Sequence, residues 1–233
     1  MFLSKVTITG ADNSVEHKDL VRLQAQYPFV EWGILFSKAK MASPRYPSFT
    51  WLEKLAQTKQ EHPELRLSGH ICGRWVRDIC EGNWTILQDL PFMDIFDRYQ
   101  LNFHSYVHKI QKEAFLDGLR ALKNKEFIFQ LDDVNNNLLT IAEENNIKAA
   151  GLFDTSGGAG ILPESWPTSN KWIGYAGGLG PECLNKQLSE IAQVAQGEIW
   201  IDVETKVRTF DERLDLEKTE QFLKISSLWI YNV

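Results

Sequence analysis

The stretch KAAGLFDTSGGAG, residues 148–160, decides how the rest of the chain is read. Its first half is a short, largely apolar run of the kind that forms a strand buried on both faces. Its second half is a carboxylate, two small hydroxylated residues and a run rich in glycine. Alone, such a turn is a sharp loop over a sheet edge. Glycines also permit positive φ and let backbone N–H groups approach an anion closely. Further on, IGYAGGLGPECL at 173–184 repeats the design: an apolar strand, a Gly-Gly turn and a helix opening at Pro181. Two such turns on successive strands favour an anion cradle over a plain loop.

Working outward, the same alternation runs along the whole chain. Strands are expected at Lys5–Thr9, Val30–Phe36, Leu65–Ile71, Tyr99–His104, Phe127–Leu131, Lys148–Phe153, Trp172–Ala176 and Ile199–Val203. Helical periodicity predicts Val15–Gln26, Ser48–Gln60, Arg74–Glu81, Lys109–Lys123, Asn135–Asn145, Pro181–Gln196 and Leu214–Ile225. Asp133 reads as a helix cap, and Pro181 with Glu182 suits a first helical turn. The sixth strand is followed only by the Gly-rich loop and ILPESW, so the sixth helix is short or displaced. Eight strands alternating with helices predict parallel βαβ units. In one domain spanning residues 1–233, the natural closure is an α/β fold of the (β/α)8 TIM-barrel type, with an open doubly wound sheet as the competitor.

The 233 residues are 43% hydrophobic and 24% charged, with a formal net charge of −6 and interspersed signs. No basic stripe marks a nucleic-acid-binding face, and no apolar run is long enough for a membrane span. No charged n-region with an apolar core precedes MFLSKVTITG. Three cysteines, Cys72, Cys80 and Cys183, are too few and odd for a disulfide framework. The expectation is a soluble cytoplasmic protein acting on a small molecule, with no nucleic-acid or membrane partner and an oligomeric state left open.

A barrel carries its chemistry at the C-terminal strand ends. Those ends hold Thr9 with Asp12, Ser37 and the SPR segment, His70 with Cys72, His104, Asp132 or Asp133, Asp154, the AGG at 176–178, and Asp202. Strand starts such as Leu65 and Phe127 hold none of it.

With these motifs in place, the chain resembles the phosphoribosylanthranilate isomerase family, (β/α)8 enzymes that perform an Amadori rearrangement. A strand-end Asp, GGTG and a downstream Trp in that family are similar to Asp154, Gly157-Gly158-Ala159-Gly160 and Trp166. Its AGGL-x-P segment resembles residues 176–181, and its VDV strand resembles Ile201-Asp202-Val203. Its phenylalanine-rich second strand and S-x-R segment resemble ILFSKAKMASPRY at 34–46. The resemblance implies a phosphorylated sugar or ribosyl substrate and acid/base catalysis without a cofactor or metal. It also implies Asp154 as acid/base, Arg45 as the carboxylate-binding arginine and Asp202 as a hydroxyl holder. Phosphate would lie at Gly157, Gly158, Gly177, Gly178 and Lys206.

Two departures stand out. The family's first strand ends K-x-C-G, with the Cys as general acid, whereas this chain has Thr7-Ile8-Thr9-Gly10. A threonine hydroxyl is too weak an acid to replace a thiol near neutral pH. His70, Cys72 and His104 are the available substitutes at neighbouring strand ends, and a histidine titrates near physiological pH. The family's Ser-Gly turn after strand eight becomes Glu204-Thr205-Lys206-Val207-Arg208: either backbone phosphate contacts survive there with Lys206 or Arg208 adding charge, or Glu204 spoils the site. The plainer readings are that Cys72 is a small buried residue and that Trp32, Trp75, Trp84, Phe127 and Phe129 are packing. A metal held by His70, His104 and Asp132 is the minority reading. The alternatives to an isomerase-like enzyme are a barrel with lyase, aldolase, hydrolytic or metal-dependent chemistry, or a non-catalytic phosphosugar-binding protein.

Overall fold

The computed structural model describes residues 1–103, 110–131, 137–154 and 156–230. Eight parallel strands close into a barrel in sequence order: β1 (Phe2–Thr9), β2 (Val30–Ser37), β3 (Leu67–Cys72), β4 (Arg98–Leu101), β5 (Glu126–Leu131), β6 (Ala149–Phe153), β7 (Ile173–Tyr175) and β8 (Glu198–Val203). β8 pairs back onto β1, with Thr7 opposite Asp202. The fold is therefore the (β/α)8 barrel, and every expected strand is present. The helices are α1 (His17–Gln26), α2 (Phe49–Glu61), α3 (Gly73–Cys80), α4 (Thr85–Gln88), α5 (Lys112–Ala121), α6 (Leu138–Glu144), α7 (Leu184–Val194) and α8 (Leu216–Ser227).

Local chemistry sets several boundaries. Ser48 accepts from the Trp51 amide to cap α2, and Asp215 accepts from the amides of Glu217 and Lys218 to cap α8. The helix expected from Pro181 begins at Leu184, because residues 181–183 form a turn closed by Cys183 N–H to the Gly180 carbonyl. The four-residue α4 is too short to show a helical period, and it was not expected. Among the described residues no helix lies between β6 and β7. Trp166 fills that place, packed edge-on against Phe153 and Tyr175 and donating its indole N–H to Gln187 at 2.9 Å. His104, expected at the end of β4, lies outside the described residues, as do Asp132 and Asp133.

Successive strand residues face opposite sides, and this parity produces two cores. The larger lies between the outer barrel face and the helices, and includes Ile8, Phe36, Phe127, Phe129 and Leu188. The smaller lies inside the barrel and contains Ile128, Ala150, Leu152, Ala176 and Trp200. Below it the interior is charged. Glu31 accepts from Arg98, Lys5 and Thr7, while Arg98 also pairs with Glu126 and lies 4.8 Å from the Trp200 ring. This buried network fills the base of the barrel, and a cavity opens at its C-terminal end.

Candidate active site

The cavity at the C-terminal strand ends has a volume of about 610 Å3. Strand parity delivers its floor: Thr9 from β1, His70 from β3, Gln100 from β4, Gln130 from β5, Asp154 after β6 and Asp202 from β8 all reach it. Arg45, Glu204 and Lys206 stand at its rim, and the turns at Gly157-Gly158 and Gly177-Gly178 form one wall. The structure thus gathers all the expected site residues that fall within the described residues.

The two aspartates sit in different settings. Thr9 Oγ1 donates to Asp202 Oδ1 at 2.7 Å. Burial raises the Asp202 pKa well above the usual carboxylate range, Thr9 opposes that shift, and Glu204 and Asp154 add to it by repulsion. Asp154 instead organises its own loop. Its Oδ1 accepts from the amide and hydroxyl of Ser156 at 3.1 and 2.7 Å, and its Oδ2 accepts from the Gly158 amide at 3.0 Å. Gln130 Nε2 braces the same oxygen at 3.3 Å. The Gly158 amide expected to face a ligand anion is therefore turned toward the protein's own carboxylate.

The second Gly-rich turn differs. Among the described residues, the backbone N–H groups of Gly177 and Gly178 have no acceptor. Gly178 has φ +67°, and a Cβ there would lie 2.5 Å from the Leu162 amide nitrogen, so only glycine lets the two loops meet. Lys206, in the short 3-10 turn Thr205–Val207 after β8, is exposed and 3.8 Å from Glu182.

His70 differs from its expected behaviour. It is 1% exposed, and burial drives its pKa down to about 3, so the ring stays neutral near physiological pH. Among the described residues its Nε2 has no hydrogen-bond partner. Cys72 lines the cavity with its thiol pushed up to about 12 by burial, and it accepts from Asn102 Nδ2 at 3.2 Å. Neither group ionises at neutral pH. Arg45, expected to grip a ligand carboxylate, is bound to Glu204 and Glu212. Gln100 and Gln130 were not anticipated, although the outward-facing Phe127 and Phe129 place residue 130 inside by parity. Among the described residues no group of three His, Cys, Asp or Glu side chains is arranged to hold a metal ion.

Fold and cavity together define a class: a (β/α)8 barrel with an acid-lined pocket and Gly-rich turns at its C-terminal face. Solved structures of phosphoribosylanthranilate isomerases have a similar fold. The enzyme from Jonesia denitrificans superposes with a TM-score of 0.60 at 11% identity, covering 96% of each chain. That from Thermus thermophilus gives 0.56 at 14%, covering 96% of this chain and 98% of its own. The Pyrococcus furiosus protein gives 0.54 at 14%, with the same coverage. At such identities the likeness is one of fold. No protein-family model and no curated protein sequence matches the chain. No helix among the described residues is long and apolar enough to cross a membrane.

Proposed function

We propose that this barrel is an enzyme of the phosphoribosylanthranilate isomerase type, acting on a phosphorylated sugar or ribosyl compound in the cytoplasm by acid/base chemistry. The observation that carries the reading is the convergence of Asp154 and Asp202 on one cavity beside the Gly177-Gly178 turn. Opening an aminosugar ring and isomerising it requires a proton delivered to the ring oxygen and a proton removed from carbon. Asp154 is the acid/base. Asp202, its pKa raised by burial, can donate as well as accept a hydrogen bond and holds a sugar hydroxyl with Thr9. The phosphate lies against the amides of Gly177 and Gly178, with Lys206 and the Gly157-Gly158 turn at its edge. No cofactor or metal enters this scheme.

A second reading, a related barrel with a different reaction, is favoured by two observations: Thr9 stands where the family has its thiol, and Arg45 is already paired. Thermal-shift titration with inorganic phosphate and phosphopentoses tests the shared part. Stabilisation at millimolar concentration is expected, and its absence with every ligand would defeat the phosphate site. Complementation of a tryptophan auxotroph lacking the isomerase separates the two readings: growth supports the Amadori reaction, and failure supports the divergent one.

A further inference from the structure

Arg45 sits in the loop between β2 and α2 with φ +74°, a left-handed conformation held by its backbone N–H donating to Asp12 Oδ2 at 2.6 Å. Its guanidinium is engaged at the rim through Nη1 and Nε. Nη1 lies 2.7 Å from Glu204 Oε1 and 3.2 Å from Thr205 Oγ1, and Nε lies 2.5 Å from Glu212 Oε2. The neighbouring cation, Arg208, is buried and committed to Asp12 and the Gly10 carbonyl, both at 2.8 Å. Glu204 follows Asp202 by two residues at the end of β8, so it faces the cavity on the same side. The cavity lining therefore sets Asp154, Asp202 and Glu204 against Lys40, Lys206 and one guanidinium, Arg45, which two tethered carboxylates already neutralise.

A free carboxylate arriving here competes with partners held in place by the chain, whose effective concentration is in the millimolar range or above. Displacing Glu204 also leaves a mostly buried carboxylate unpaired beside two others, a costly arrangement. A hydroxyl or an amine meets no such opposition, and the acidic side chains supply its hydrogen-bond acceptors.

We infer that Glu204, with Glu212, acts as an internal carboxylate that occupies Arg45 and makes the pocket select ligands whose group at the β8 wall is uncharged or cationic. The substrate class is then a phosphorylated polyol or amine-bearing sugar without a carboxylate at that end, which agrees with the second reading above rather than with the Amadori reaction. This rests on the proposed ligand pocket, but its test reads the rim independently of the phosphate site.

The test is ligand-observed NMR titration of benzoate and, separately, of inorganic phosphate against the wild-type chain, Glu204→Ala/Glu212→Ala, and the same pair with Arg45→Ala. Benzoate is expected to bind the double variant at least about tenfold more tightly than the wild type, and the gain is expected to vanish with Arg45→Ala. Equal benzoate affinity in wild type and double variant, or a gain that survives Arg45→Ala, overturns the inference. If the alanine pair does not fold, Glu204→Gln/Glu212→Gln removes both charges at nearly constant shape, and no gain in that pair overturns it equally. Absence of phosphate binding throughout, with the benzoate gain intact, defeats the phosphate site and leaves the role of Glu204 standing.

Discussion

Thr9 and Asp202 join the first and last strands at the floor of the cavity, hydroxyl to carboxylate at 2.7 Å. Burial raises the Asp202 pKa, with Glu204 and Asp154 contributing, so the folded state holds the proton more tightly than the unfolded chain. A raised carboxylate pKa favours folding at low pH, and that advantage is lost as pH rises through the folded-state value. Asp202→Asn removes the ionisation and keeps an oxygen for the Thr9 hydroxyl. Its melting temperature should exceed that of the wild type at pH 8, by about 2–4 °C for each kcal/mol gained in a domain of this size. The difference should shrink as pH falls toward the ordinary carboxylate range. Melts across pH 4–9 showing a pH-independent difference would exclude this account.

At the opposite end of the barrel, Glu31 and Arg98 form an almost fully buried pair, with side chains 1% and 3% exposed. Burial alone would raise the Glu31 pKa, but Arg98 and Lys5, with hydrogen bonds from Arg98 and Thr7, bring it down to about 2. The stability this pair contributes is present above the ordinary value of 4.5 and disappears as pH falls from there toward 2. Glu31→Gln leaves the guanidinium short of its main counter-charge and should cost about 3–5 kcal/mol at neutral pH. Urea denaturation at pH 7 and pH 3 checks both points, and the cost should be smaller at pH 3.

The barrel was legible because its strands are short apolar runs closed by polar or glycine-rich ends, and even the three-residue β7 announces itself beside AGG. The floor of the site was legible for the same reason: strand-end position plus side-chain parity places Thr9, His70, Asp154 and Asp202 without further information. What escaped depends on distance and dielectric. Arg45 meets Glu212 across 167 positions of sequence, and no local pattern signals that pairing. Histidine as a residue type announces titration near neutrality, yet the burial that keeps His70 neutral is a property of the assembled floor. Gln130 was readable in principle from the aromatic face of β5, but a glutamine carries no chemical signature of its own.

Asp154 has a structural duty that affects its mutagenesis. Its two oxygens accept from Ser156, Gly158 and Gln130, which together hold the 156–160 turn against the cavity. Asp154→Asn keeps one acceptor oxygen and turns an NH2 group toward existing donors. The variant should lose turnover of any substrate handled by acid/base chemistry. It should also lose about 1–3 kcal/mol of stability through unsatisfied donors. Single-turnover assays and denaturant titration separate the effects, whereas full activity in the variant would remove Asp154 from the chemistry.

Gly118 in α5 presents a contest between backbone propensity and packing. Alanine is favoured over glycine in a helix interior by about 1 kcal/mol. A Cβ at position 118 would lie 1.9 Å from Nε1 and 2.0 Å from Cε2 of Trp84. That indole cannot retreat easily, since it is 4% exposed and packed against Phe115 and Phe127 with ring centroids 5.7 and 5.9 Å away. Overpacking a closed core costs about 1–3 kcal/mol or more, and so severe an overlap falls at the upper end. Packing wins, and Gly118→Ala should lower stability by about 1–2 kcal/mol net of the helical gain. A compensating Trp84→Phe in the same chain should recover part of the loss, measured by urea denaturation of the single and double variants. A more stable Gly118→Ala chain would show that the α5–Trp84 contact is looser than its geometry indicates.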